Sequence, residues 1–307
     1  SYSVTLSQGA KVSGIFRILT LACCLSIASH AYGAQARITK SSLSSQLQLP
    51  AVSAIHRDGR GILWVGTQQG LHRFDGATLT VFNSDKSNKN WIPDSEIRDI
   101  DEDIHGNLLV ATSGGVLLRL NRSTETFDSI KQFGTGDSTS LVRLLVSRHG
   151  EIWLLSKDGL ILYDPEFGNA TDWVIKLNLQ DTVGTPHEIL EDNSGNLWIG
   201  GSRGLTKVLL REKSLAPLKL DALSIPESSG VTALQINTDG NLLVGTNTGH
   251  LVLWDIDFST ALAKTKMVGE GQTYISQFLI YDDRIIIGTD RGLFASDNHL
   301  SYFDNLD

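Results

Sequence analysis

Cysteine is almost missing from this sequence: Cys23 and Cys24 are the only two, and both fall within the first 36 residues. A chain that loses that segment has no disulfide, no thiol nucleophile and no cysteine metal site. The same segment lacks Asp and Glu; Lys11 and Arg17 precede an apolar stretch from Ile18 to Ala28, and small residues follow. Ala34-Gln35-Ala36 fits a cleavage signature, with Ser29-His30-Ala31 as a second. This is the pattern of a secretory signal peptide over residues 1–36, with an uncleaved anchor as the rival reading. Methionine occurs once, at Met267, and the chain opens on Ser1, so a fragment lacking its true start is expected. No second long apolar run follows, and nothing after the signal is expected to cross a membrane. Residues 37–307 carry 24 basic and 34 acidic side chains, a net charge of −10. That sign argues against nucleic acid or anionic lipid as the main partner.

What is present is a repeat. Gly61-Ile62-Leu63-Trp64-Val65-Gly66-Thr67 is followed by Gly70, and this grammar of glycine, apolar run and second glycine recurs down the chain. Taking Trp64 as marker, the series continues at Leu109, Trp153, Trp198, Leu243 and Ile286, at intervals of 45, 44, 45, 45 and 43 residues. Glycine stands six residues after the marker in all six copies and three before it in five. Each unit divides into four short strands; in the first these are Val52 to His56, Ile62 to Gly66, Leu71 to Phe74 and Leu79 to Phe82. The turn joining the first two opens on Asp58, Asp103, Ser147, Asp192 and Asn237, side chains that bond their own turn backbone. A strand-rich period near 45 predicts an all-β propeller of four-stranded antiparallel blades, with Trp64, Trp153 and Trp198 filling the gaps between blades.

Closure of the ring is expected to need more chain. Arg37 to Lys40 reads as the outer strand of another blade, and Leu300 to Phe303 as the fourth strand of unit six. A seventh blade is the simplest arrangement, with three strands beyond Asp307 and a gap between units six and one in the chain as given.

The run from Val52 to Gly76 resembles the two-component regulator propeller repeat, whose pattern is roughly V-x-x-I-x-x-D-x-x-G-x-L-W-I-G-T-x-x-G-L-x-R-[YF]-D. Copies one and four match best, and the pattern covers about Val52 to Asp297. Departures are Leu109, Leu243 and Ile286 for Trp, Ser156 and Gly201 for Thr, and His250 for Leu. The resemblance implies the periplasmic sensor region of a bacterial signalling protein. It further implies a downstream membrane helix with a histidine kinase or diguanylate cyclase, and a membrane-anchored homodimer. It implies no catalytic residue and no cofactor.

Read residue by residue, the chemistry is sparse. Asp99, Asp101 and Asp103 look superficially like a calcium loop but are better explained as acids on a strand edge leading into a hairpin. His56, His72, His105, His149, His187, His250 and His299 occupy different repeat positions, with no metal-site spacing. There is no G-x-S-x-G elbow and no phosphate-binding loop opening a helix. Candidate ligand-binding residues therefore lie on the loops of one face: Gln68 and Gln69, Lys157 and Asp158, Arg203, Asn247, Asp290 and Arg291 between strands two and three. The blade-joining loops add Trp91 and Tyr274. Amides, single charges and aromatics suit a carbohydrate or another polar small molecule, or a periplasmic protein. The bland reading is solvated loops with Trp91 packed between blades. The other function class is a secreted propeller enzyme of lyase or hydrolase type, similar in general layout to streptogramin lyases.

Overall fold

Each copy of the repeat folds into one four-stranded antiparallel sheet in a computed structural model of the chain. The structure describes residues 2–3, 25–26, 37–40, 51–133, 140–157, 159–163, 173–176, 179–209, 214–218, 225–226, 229–257, 259–267, 273–281 and 284–306. The innermost strands of blades 1 to 6 are Val52–Arg57, Ile97–Glu102, Leu141–Val146, Pro186–Glu191, Val231–Ile236 and Ile275–Tyr281. In every blade the strands are hydrogen-bonded in chain order from inside to outside. The described residues contain a single helix, the short Leu179–Thr182 before blade 4.

The repeat motif is explained by three local devices. Asp58 Oδ1 accepts the backbone N–H groups of Arg60 and Ile62, both at 3.0 Å. Gly61 takes φ +84°, which closes the hairpin. The other carboxylate oxygen accepts the indole N–H of Trp64 at 3.2 Å; Asp192 does the same for Trp198 at 2.9 Å. The turn acid and the buried tryptophan thus form a unit, which removes the penalty of burying an unpaired N–H. Thr67 Oγ1 donates to the Gly70 carbonyl at 2.9 Å and accepts Gln69 N–H, and Ser156 and Thr289 repeat the first bond. A Cβ on Gly70 would lie 2.4 Å from the Phe82 carbonyl oxygen, so the outer strand excludes any side chain there. Gly201 departs from Thr because a Cβ there would lie 2.6 Å from the carbonyl oxygens of Val183 and Thr185.

The core is a chain of separate apolar clusters, one at each joint between successive blades. Trp64 (1% exposed), Phe82, Phe127, Ile92 and Ile97 fill joint 1|2. Trp153 packs with Leu179, Val183 and Ile189 in joint 3|4, and Trp198 with Val231, Val252 and Trp254 in joint 4|5. The burial expected of these three tryptophans is observed, because each lies on the face its sheet turns toward the next blade. Leu243, Leu251, Phe278 and Ile287 fill joint 5|6. The inner strands pack in series from blade 1 to blade 6, and no comparable packing joins blade 6 to blade 1 among the described residues.

One strand expectation changes. Leu300 to Phe303 is not a strand: the chain turns at Asn298 and His299, held by Asp297 Oδ1 on the N–H groups of His299 and Ser301. Leu300 has φ +57°, and the outer strand of blade 6 is instead Asp304–Asn305, paired with Phe294 and Ala295. Arg37–Lys40 forms the expected strand, paired in this chain with Tyr2–Ser3 and Leu25–Ser26.

Candidate functional site

Alternation of strand direction puts the turns between second and third strands on one end of the propeller, together with the blade-joining loops. On this end the 14-residue connection from Asn83 to Glu96 is described in full and is heavily hydrogen-bonded. Ile92 N–H donates to the Asn83 carbonyl at 2.8 Å, and Asn88 Nδ2 donates to Asn83 Oδ1 at 3.2 Å. Ser84 N–H and Ser95 Oγ meet at 2.8 Å, and Asp94 Oδ2 accepts Gly114 N–H at 2.7 Å, fastening the loop to the neighbouring turn. Ile92 is fully buried beneath it. The next residue back, Trp91, is 40% exposed: it does not pack between blades but stands on a loop whose backbone is fixed.

The other loop candidates divide by task. Asn247 Oδ1 accepts Gly230 N–H at 2.9 Å while its own N–H donates to the Gly230 carbonyl. Asp290 makes the same reciprocal pair with Tyr274, and Ser202 with Thr185. These three side chains clamp each turn to the entry of its own inner strand. Gln68, Gln69, Lys157 and Arg291 are exposed, and Arg203 donates to the Gln180 carbonyl. Asp158 lies outside the described residues.

The inner strands contribute groups that loop-based reasoning missed. All six pair with their neighbour through the same one-residue slip, a β-bulge after the first position. The extra residues are Ser53, Arg98, Val142, His187, Thr232 and Ser276. Ser53 and Thr232 use the bulge to donate a 2.6 Å hydrogen bond to the next blade's inner strand, at Ile97 and Ile275. Just past the bulge, Arg143 Nε approaches Glu188 Oε2 at 3.4 Å, linking blades 3 and 4. Burial, aided by the negative Glu188, pushes the Tyr274 phenol above its ordinary range. Burial likewise lowers His187, with Glu188 pulling the other way. Phenol, carboxylate, imidazole and guanidinium from blades 3, 4 and 6 are therefore electrostatic neighbours around the axis. The available signal was a charged residue inside an otherwise apolar strand, as in Leu141-Val142-Arg143-Leu144.

This face can hydrogen-bond, stack against an aromatic ring and neutralise single charges. Among the described residues no group of three His, Cys, Asp or Glu side chains is placed to hold a metal, and no helix is long and apolar enough to cross a membrane.

No family model matches the chain, and no curated protein matches it in sequence. Solved structures do match. The extracellular domain of BT4673 from B. thetaiotaomicron, described as a hybrid two-component system, superposes with a TM-score of 0.68 at 20% identity. The match covers 83% of this chain and 36% of that one. The corresponding domain of BT3049 from the same organism gives 0.67 at 20% identity, over 84% and 35%. Virginiamycin B lyase from Staphylococcus aureus gives 0.64 at 10% identity, over 81% of this chain and 82% of the enzyme. The chain thus spans a little over a third of the length of the first of these proteins. At such identities the likeness establishes the fold, a β-propeller of the kind found in two-component extracellular domains.

Proposed function

We propose that this propeller is the sensing ectodomain of a bacterial signalling protein, exported to the periplasm and anchored in the membrane by chain outside it. It binds a carbohydrate or similar polar molecule on the face carrying Trp91. The observation that supports this reading most is the fixed exposure of Trp91. A flat aromatic surface carried on an already ordered loop backbone lowers the entropic cost of stacking on a sugar ring, and Gln68 and Gln69 on the same face supply amides for hydroxyl groups. The likeness to extracellular domains of two-component systems supports the sensing role. A secreted enzyme is the second reading, favoured by the match to virginiamycin B lyase over most of both chains.

A panel of neutral oligosaccharides titrated by calorimetry tests the reading. One or more should bind, and Trp91→Ala should weaken that binding about tenfold or more, roughly 1.4 kcal/mol. Binding unaffected by Trp91→Ala would remove Trp91 from the site, and turnover of a bound sugar would move the assignment to an enzyme.

A further inference from the structure

At the opposite end of joint 1|2 lies a cluster of ionisable groups that ligand sensing does not use. Asp58, whose side chain is fully buried, accepts a hydrogen bond from Arg122 Nη1 at 3.0 Å. Arg122 Nη2 donates to Glu102 Oε1 at 3.1 Å and to the Gly106 carbonyl at 2.9 Å. Glu102 Oε2 accepts Gly59 N–H at 2.7 Å, so the carboxylate of blade 2 holds the hairpin of blade 1. His56, opposite Trp64 in the sheet, places Nε2 3.8 Å from the same Glu102 oxygen. That distance is too long for a hydrogen bond, and the nitrogen is buried without a partner.

The remaining charges around His56 are turned elsewhere. Arg57 donates to the Gly61 carbonyl on its own hairpin. Asp103 accepts the N–H groups of His105 and Asn107, and Arg60 and His105 are exposed. The inner group is therefore two carboxylates against one guanidinium, a net charge of −1, with a buried imidazole beside it.

We propose that His56 is a proton-operated latch on joint 1|2: neutral, it lets the clasp of Gly59, Glu102 and Arg122 close, and on protonation it favours the open joint in which the imidazole meets water. Burial holds His56 below its ordinary pKa, outweighing the pull of Glu102 and Asp58. The open joint, where that burial is relieved, binds the proton more readily. The closed joint therefore loses stability as pH falls from the ordinary histidine range through the lower value of the closed state. The equivalent hairpin of blade 5, Asn237 to Asn241, contains no histidine and serves as the internal reference.

Hydrogen exchange of the full chain tests the proposal, with rates corrected for intrinsic pH dependence. Between pH 7.5 and pH 5.5, protection of the Gly59 amide should fall about tenfold relative to its counterpart in blade 5. His56→Gln should flatten that dependence, and His105→Gln, on the exposed hairpin, should leave it intact. In the unmodified chain, the His56 ring resonance should titrate below the ordinary histidine range. Equal pH dependence in His56→Gln, or a His56 titration at or above the ordinary histidine range, would overturn the latch whether or not the variant folds well.

Discussion

Joints 1|2 and 5|6 occupy equivalent places in the propeller and are closed by different chemistry. In joint 1|2, Trp64, Phe82 and Phe127 form an aromatic trio with centroids 5.1–6.0 Å apart, sealed at one end by Arg122 between Asp58 and Glu102. In joint 5|6 the buried side chains are aliphatic apart from Met267 and Phe278, with Phe294 and Phe303 half-buried against them, and the seal is neutral. There Asn237 stands at the position of Asp58, its Nδ2 donating to the Asn298 carbonyl at 3.3 Å while Asn298 Nδ2 donates to Thr238. The repeat therefore specifies a filler and a seal without specifying their chemistry. An ionic seal needs its partner, since a buried charge left alone is costly, whereas an amide seal fails gently.

Substitutions at matched positions sharpen this contrast. Trp64→Ala should cost about 3–5 kcal/mol, the upper end of large-to-small core changes, and Leu243→Ala about 2–5 kcal/mol. Guanidinium unfolding resolves the two, and a loss below about 1 kcal/mol for Trp64 would contradict its place in the joint. Next, Arg122→Met should cost about 3 kcal/mol, because Asp58 and Glu102 then face each other without a cation. Asn298→Ala should cost about 1 kcal/mol; equal losses for the two would erase the distinction between the seals.

Acid should also separate the joints. Burial raises the Asp58 pKa, but hydrogen bonds from Arg122, Trp64, Ile62 and Arg60 outweigh it and hold the carboxyl below its ordinary value. Its contribution is present above the unfolded-state value and is lost as pH falls through the lower folded value. Acid titration followed by hydrogen exchange should therefore open joint 1|2 before joint 5|6, and Asp58→Asn should narrow the difference. The smallest effect belongs to Arg148, which meets Glu191 at 3.4 Å and donates to the Asp192 and Asn193 carbonyls with 42% of its side chain exposed. Arg148→Ala should cost about 1 kcal/mol, and high salt should remove only the part that comes from Glu191.

Much of this architecture was written into local sequence. Trp64 and Asp58 are six residues apart and Thr67 and Gly70 three, so their pairing and the turns they make could be read from one copy and checked against the others. Arg122 could not be assigned, because the acid it neutralises, Asp58, is 64 residues away and no repeat spacing links them. Asn247 and Asp290 read as ligand candidates because a polar turn residue looks the same whether it clamps backbone or faces solvent. The six bulges left a trace that was not read: apolar residues three apart, as Val52 and Ile55 or Ile97 and Ile100, break the strict alternation of a regular strand. The turn before Leu300 was hidden because an apolar residue with positive φ mimics the start of a strand.

The inner-strand bonds have one property in common. Ser53 reaches 44 residues ahead, Leu144 reaches Asp99 45 behind, and Thr232 reaches 43 ahead. Every one of these ties spans about one repeat and none spans the whole ring. A chain emerging from a ribosome or a secretion pore can therefore complete each blade, and fasten it to its predecessor, as soon as the next 45 or so residues are out. Assembly can proceed in step with delivery, and the length of naked chain waiting for a partner stays near one repeat however long the protein grows.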